Sequence, residues 1–382
     1  MSQMMKKIGE LPFVYAPLDT PHNPEPIPDR ISFSLEMRNG VISQVFEPEI
    51  EKALDEAYRL GSMITGQMNA SGNGKEYADE FIEYIQGQAK EFEGKEVLEI
   101  GCGVGYLLSE IQKWGANCTG VEPGEKNVAA KKEVVIVQDF FRKELFDKKF
   151  DIIIFYGVLE HIYDMRTFLR DVRELLKDGG KVLIGVPNCE GQIERGDISI
   201  LLHEHWSYFT RNSLEMTLNT NGLKNTITLS ETGGVLFACA EKNNVKESID
   251  GDIEAENRRF NLYSKYYDTQ RERLANFFIK AKEHGESIGI FPPCRGINWL
   301  SVVSEKSELG EIRFIDDNPI FQNKYYPSFE CPIESLEKFM SKPAENVLIP
   351  SYSYGKAIKK RLIDYDYQGK LMDIKDLLNE NC

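Results

Sequence analysis

The first 101 residues contain no cysteine, and the seven cysteines that follow, at 102, 118, 189, 239, 294, 331 and 382, include no C-x-x-C pair. A metal site built on cysteine pairs is therefore excluded from the amino-terminal part, and no disulfide framework is implied; the scattered thiols fit a reducing compartment. Basic residues are also short: 46 Lys and Arg face 61 Asp and Glu, a formal charge of −15. A phosphate backbone would meet net repulsion, so nucleic acid is not expected as a partner. No window reaches about 18 uncharged apolar residues, and the amino terminus lacks a charged segment followed by an apolar one. Neither membrane spanning nor secretion is expected, and the cytoplasm is the expected location. At 382 residues the chain is too long for one core of ordinary size and predicts two or more domains.

Against these absences stands Val97-Leu98-Glu99-Ile100-Gly101-Cys102-Gly103-Val104-Gly105-Tyr106, an apolar run ending in an acid and then three glycines on alternate positions. The run predicts a buried parallel strand, and the glycines a sharp turn that lets the backbone approach a ligand closely. A dinucleotide fingerprint would need glycine at Tyr106. The spacing instead resembles the first motif of class I S-adenosylmethionine (SAM) methyltransferases, which makes Glu99, Gly101, Cys102, Gly103, Gly105 and Tyr106 candidate cofactor residues. A second short strand ends in Glu122, where folds of this kind set a carboxylate on ribose hydroxyls; a solvated acid before Pro123 is the plain alternative. A third, Val134 to Val137, leads to Asp139, placed to accept from an adenine amine, and to Phe140, which either packs on the base or joins the core with Phe141.

A fourth strand, Phe150 to Phe155, runs into Tyr156-Gly157-Val158-Leu159-Glu160-His161-Ile162, followed by a helix from Met165 to Leu176, Lys177-Asp178-Gly179-Gly180, and a strand from Lys181 to Pro187. Read from the residues alone this is a β-loop-α-turn-β unit whose glycine pair ends the helix, and it predicts an α/β fold. The "V-L-E-H" and "K-D-G-G" elements resemble the same methyltransferases, and Tyr156 completes the candidate cofactor set.

Along the chain, residues 1–30 form a proline-rich arm without regular structure. Residues 31–74 form a cap, a hairpin around Asn39-Gly40 followed by a helix from Ile50 to Leu60. Residues 75–242 form the SAM domain, 243–285 a charged helical connector, and 286–382 a second Rossmann-like α/β unit with strands at Ser287–Phe291, Ile312–Ile315 and Asn346–Ile349. In this last unit Arg295, Asp316 and Tyr352 lie at strand ends, where open α/β sheets bind ligands; ordinary turns of a docking domain are the alternative.

The segment Leu201-Leu202-His203-Glu204-His205-Trp206-Ser207-Tyr208-Phe209 holds two of the chain's 5 histidines. If extended, it sets His203 and His205 on one face. As metal ligands they lack a third partner nearby, and no metal is expected; the remaining readings are imidazoles bonded to backbone and acid/base work by a group that titrates near neutrality. With the preceding motifs and the second α/β unit, this "H-E-H-x-S-Y-F" segment resembles the sugar C-methyltransferases acting on nucleotide-linked 4-keto deoxysugars, over most of residues 75–365. The resemblance implies His205 as the base that removes a proton next to the ketone, with Glu204 and His161 lining the sugar pocket. His203, Tyr208, Arg295, Asp316 and Tyr352 complete the expected acceptor set, and the carboxy-terminal domain is expected to hold the nucleotide. Two departures stand out: the family's amino-terminal zinc module is absent, and Leu202 replaces a tyrosine. The alternatives are O-methylation of a sugar or other small-molecule hydroxyl, and SAM or nucleotide binding without catalysis.

Overall fold

The computed structural model describes residues 4–60, 73–124, 134–231, 233–243, 252–305, 308–351 and 355–379. At the amino terminus β1 (Met5–Pro12), β2 (Arg30–Arg38) and β3 (Val41–Gln44) pair antiparallel, followed by α1 (Pro48–Leu60). The β2–β3 hairpin turns on Asn39 and Gly40 at φ 53° and 80°, the positive pair that a two-residue turn of this hand requires. β1 corrects one expectation. Pro12 ends the strand and the other prolines of the arm follow it, while the apolar positions Ile8 and Leu11 are buried, so the arm begins as a strand.

The central sheet starts after α2 (Asn73–Gln88) with β4 (Glu96–Ile100), α3 (Tyr106–Gln112), β5 (Asn117–Val121), β6 (Val135–Val137) and β7 (Phe150–Tyr156). It continues through α4 (Met165–Leu175), β8 (Leu176–Pro187), α5 (Glu190–Arg195), β9 (Ser207–Tyr208), α6 (Arg211–Thr220), β10 (Leu223–Leu229) and β11 (Val235–Lys242). The seven-stranded order is β10-β11-β8-β7-β4-β5-β6, with β11 antiparallel to β8. Order reverses between β4 and β7, so their carboxyl ends border a crevice, where such sheets hold ligands. Val97, Leu98, Ile152, Ile153 and Ile154 are fully buried there because helices cover both faces. Gly179-Gly180 does not end α4, as the sequence suggested. The helix stops at Leu175, and the pair lies inside β8, where Gly179 takes φ 75° and a Cβ on Gly180 would meet Asp151 O at 2.9 Å.

β9 belongs to the other sheet. Ser207 and Tyr208 pair with Ser43 and Ile42, so the amino-terminal sheet runs β1-β2-β3-β9 and takes its last strand from the histidine segment. Within the expected helical connector lies a single long helix, α7 (Ile253–Glu283).

Beyond it lie β12 (Ile288–Ile290), α8 (Ile297–Ser304), β13 (Ile312–Ile315), β14 (Ile333–Glu334), α9 (Leu336–Ser341), β15 (Asn346–Ile349), α10 (Gly355–Asp364), β16 (Lys370–Asp373) and α11 (Ile374–Asn379). This parallel sheet runs β14-β13-β12-β15-β16 and reverses order between β12 and β15. One core joins Ile8, Leu35, Tyr208, Tyr263, Phe278, Trp299 and Phe314, so the amino-terminal sheet, α7 and the carboxy-terminal unit share buried surface.

Candidate active site

The glycine turn leaves β4 with Gly101, Gly103 and Gly105 at φ 69°, 50° and 71°, a backbone that other residues adopt at a cost of roughly 1–2 kcal/mol each. A Cβ on Gly101 would sit 2.6 Å from Val158 Cγ2, whereas one on Gly103 would meet nothing within 4 Å. The turn is therefore packed at its first glycine and open at its second. Glu122, at the end of β5, ties the turn to its neighbour: Oε2 accepts from Gly103 N–H at 3.0 Å and Oε1 from Gly124 N–H at 2.9 Å. Glu99 is buried beneath the turn, and burial, then the charge of Glu122, push its carboxyl well above the usual range, against a hydrogen bond from Leu108 N–H.

Four expected cofactor residues make contacts that the sequence did not show. The Cys102 side chain points down, so that a Cβ on Gly120 would lie 2.5 Å from its Sγ, and only its backbone lines the turn. Asp139 is paired with Arg142, Nη1 to Oδ1 at 2.9 Å and Nη2 to Oδ2 at 2.6 Å, an ion pair that fixes the carboxylate at the end of its strand. Tyr156 lies against Phe81 (ring centroids 5.0 Å apart) and over Gly185, where a Cβ would meet its ring at 2.3 Å, so it packs between strand and helix. Tyr106, the first residue of α3, packs half-buried on the core beneath the turn. Phe140 is exposed, as a base-stacking ring requires, while Phe141 packs on Phe146 and Phe168 in the core.

The histidine segment is a turn, closed by His205 N–H to Leu202 O at 2.9 Å, not an extended strand. Its side chains therefore diverge. His203 turns away, buried between Phe13 and Phe33 with Nε2 3.3 Å from Ile31 O, and burial lowers its pKa to about 4. Gln44 Nε2 donates to its carbonyl at 3.0 Å. His203 is a neutral anchor beneath the amino-terminal sheet and not an acceptor contact. Tyr208 is likewise enclosed: its hydroxyl donates to Leu202 O at 3.2 Å and accepts from Leu202 N–H at 3.3 Å. It clamps the turn that aims His205. Tyr208→Phe would leave the Leu202 N–H unpaired and remove one of the bonds to Leu202 O, and a loss of about 1–3 kcal/mol is expected in chemical denaturation; an unchanged midpoint would show that the hydroxyl does not hold the turn.

His205 instead meets His161 edge to face, ring centroids 4.8 Å apart. Glu160 and Glu204 are both buried beside them, and Trp206 N–H donates to Glu160 O at 2.7 Å, fixing the histidine turn to the end of β7. Burial lowers His161 to about 4 and raises Glu160 to about 8. Tyr58 reaches in from α1, its hydroxyl 3.4 Å from His161 Nδ1, and burial followed by the charges of Glu204 and Glu160 raises its pKa. Sequence reasoning missed Tyr58 and Glu160. The signal for Tyr58 was its place on the buried stripe of α1 after Ile50, Ala53, Leu54 and Ala57. Glu160, His161 and His205 each offer a donor atom within 4.8 Å of the others; the third partner that the sequence lacked is the residue just before His161.

In the carboxy-terminal unit the sheet's order reverses beside the turn at Phe291–Pro292 and the buried Ser351. Asp316 Oδ1 accepts from Asn318 N–H at 2.9 Å, and burial raises its carboxyl. It ends the neighbouring strand β13 and shapes its own turn. Arg295 by its side chain, and Tyr352 altogether, lie outside the described residues.

The sequence model of a family described as "Methyltransferase domain" matches residues 72–227, the region of the glycine turn, β4 to β9 and most of β10. Residues 72–227 are a class I SAM-dependent methyltransferase domain. The chain is 31% identical over 121 residues to a ubiquinone biosynthesis O-methyltransferase of Histophilus somni (28% of this chain, 51% of that protein). It is 34% identical over 109 residues to one of Rhizobium leguminosarum bv. trifolii (26% and 43%). The chain thus spans about half the length of the curated relatives it matches. Among solved structures, a DhpI–SAM–HEP complex aligns at 19% identity over 52% of this chain and 100% of that one, with a TM-score of 0.41. The methyltransferase domain takes SAM as its methyl donor, and its residues fit that molecule. The open side of Gly103 leaves room beside the backbone, next to the Glu122 carboxylate that the Gly103 N–H bonds. Among the described residues no helix is long and apolar enough to cross a membrane.

Proposed function

We propose that the chain methylates a carbon atom of a nucleotide-linked keto sugar. The observation that carries this reading is the facing pair His161 and His205 at the carboxyl end of β7, beside the glycine turn, with Tyr58 closing the far side. SAM, when bound, supplies an electrophilic methyl group, held by the turn from Gly101 to Gly105 and by Glu122. His205 takes the proton from the carbon next to the ketone, leaving an enolate whose carbon is the nucleophile. Tyr58 supplies the donor for the enolate oxygen, and His161, kept neutral by burial, orients that hydroxyl from Nδ1. The amino-terminal sheet holds His205 through β9, and the carboxy-terminal unit, with its own strand-order reversal, receives the nucleotide.

The relatives named ubiquinone biosynthesis O-methyltransferases favour a second reading, in which His205 deprotonates a hydroxyl. Calorimetry separates the acceptor classes: micromolar SAM binding with a nucleoside diphosphate bound independently supports the sugar reading, and SAM binding alone moves the acceptor elsewhere. Deuterium exchange separates the atoms, because an enzyme making an enolate exchanges the C–H next to the ketone in heavy water before methyl transfer, and an O-methyltransferase does not. Absence of SAM binding would remove both readings.

A further inference from the structure

We infer that Glu160, His161 and His205 form a site for a divalent transition-metal ion, in the zinc class, on the acceptor side of the methyltransferase domain. Two histidine nitrogens and one carboxylate oxygen are a donor set such ions accept, with open positions left over. Here one donor atom from each residue lies within 4.8 Å of the other two. Around a tetrahedral zinc the donor spacing is about 3.4 Å, which small side-chain rotations reach.

Two buried atoms point to a ligand between them. Glu160 is 2% exposed, and its Oε2 has no hydrogen-bond partner among the described residues. His161 Nε2 is likewise buried and without a partner. Such groups are costly to leave bare. The other ring nitrogen of His161, Nδ1, lies 3.4 Å from the Tyr58 hydroxyl. With Nδ1–H donated to that oxygen, Nε2 carries the free lone pair, the arrangement that orients metal-bound histidines. Nitrogen donors select zinc, cobalt or nickel over magnesium or calcium, which prefer all-oxygen sets.

Occupancy has a consequence that rests on the proposed function: a metal on His205 takes the lone pair that would accept the proton, so metal and turnover exclude one another. Cobalt(II) titrated into the full chain and followed by its visible ligand-field absorption is expected to saturate at one equivalent, with zinc displacing it. Glu160→Gln and His161→Asn should each weaken cobalt at least about 10-fold, while SAM affinity measured by calorimetry on the same samples stays at the wild-type value and reports an intact fold. Saturation absent from the wild type, or equal cobalt affinity in wild type and both variants, would overturn the site. Zinc should then silence methyl transfer reversibly, with a chelator restoring it; activation by zinc would overturn the claim that His205 must be free. Because SAM binding is read separately, loss of the metal site leaves the methyltransferase reading standing, and loss of SAM binding leaves the metal result standing.

Discussion

His205→Asn is expected to lower kcat by about 10²–10⁴-fold while SAM affinity stays unchanged. The split follows from where the residue sits. The glycine turn and Glu122 hold their geometry through backbone groups of β4 and β5, none of which depends on the histidine turn. His205 faces His161 on the acceptor side, and its position is set by Leu202, Tyr208 and the pairing of β9 with β3. Asparagine keeps a side chain of similar reach and preserves the turn, so a fall in rate reports the lost base rather than a collapsed loop. Single-turnover methyl transfer and calorimetry on one preparation give both numbers. Full rate in the variant would dismiss His205 as the base, and lost SAM binding would mean that the turn supports the cofactor side as well.

The parts of this molecule that could be read from the sequence are those whose signal is local. The strands β4, β7, β12 and β15 are largely apolar runs bounded by turns, and parallel sheets bury such runs on both faces. The three glycines declared their positive φ by their spacing. What failed was non-local. β9 is two residues long, and its partner is β3, far back in the chain. β1 exists because β2 offers it a ladder, which no pattern within residues 5–12 announces. His203 was assigned to the acceptor because alternation along an extended segment puts it beside His205; one hydrogen bond, His205 N–H to Leu202 O, makes a turn instead and sends the two rings apart. The ion pair of Asp139 with Arg142, three residues on, was likewise not anticipated. The acceptor side is assembled from α1, the end of β7 and the histidine turn, so Tyr58 could be seen only as an odd hydroxyl on a buried stripe.

Gly101→Ala and Gly103→Ala should fail in different ways, and the difference tests whether the turn is a ligand cradle or only a tight corner. Both residues hold positive φ, so alanine at either costs roughly 1–2 kcal/mol of backbone strain. At Gly101 the new methyl also lands 2.6 Å from Val158 Cγ2, which β7's following turn cannot easily withdraw. That variant should lose the larger share of stability in thermal or chemical denaturation. At Gly103 the methyl meets no protein atom within 4 Å. It projects into the space beside Glu122, and Glu122 is bonded to the Gly103 N–H itself. Gly103→Ala should therefore stay folded at a cost near the strain alone and lose SAM affinity by at least about 10-fold, or 1.4 kcal/mol. A Gly103→Ala protein that binds SAM as the wild type does would place the cofactor elsewhere. If both variants lost stability and affinity equally, the turn would be a structural corner whose openness at Gly103 has no bearing on the ligand.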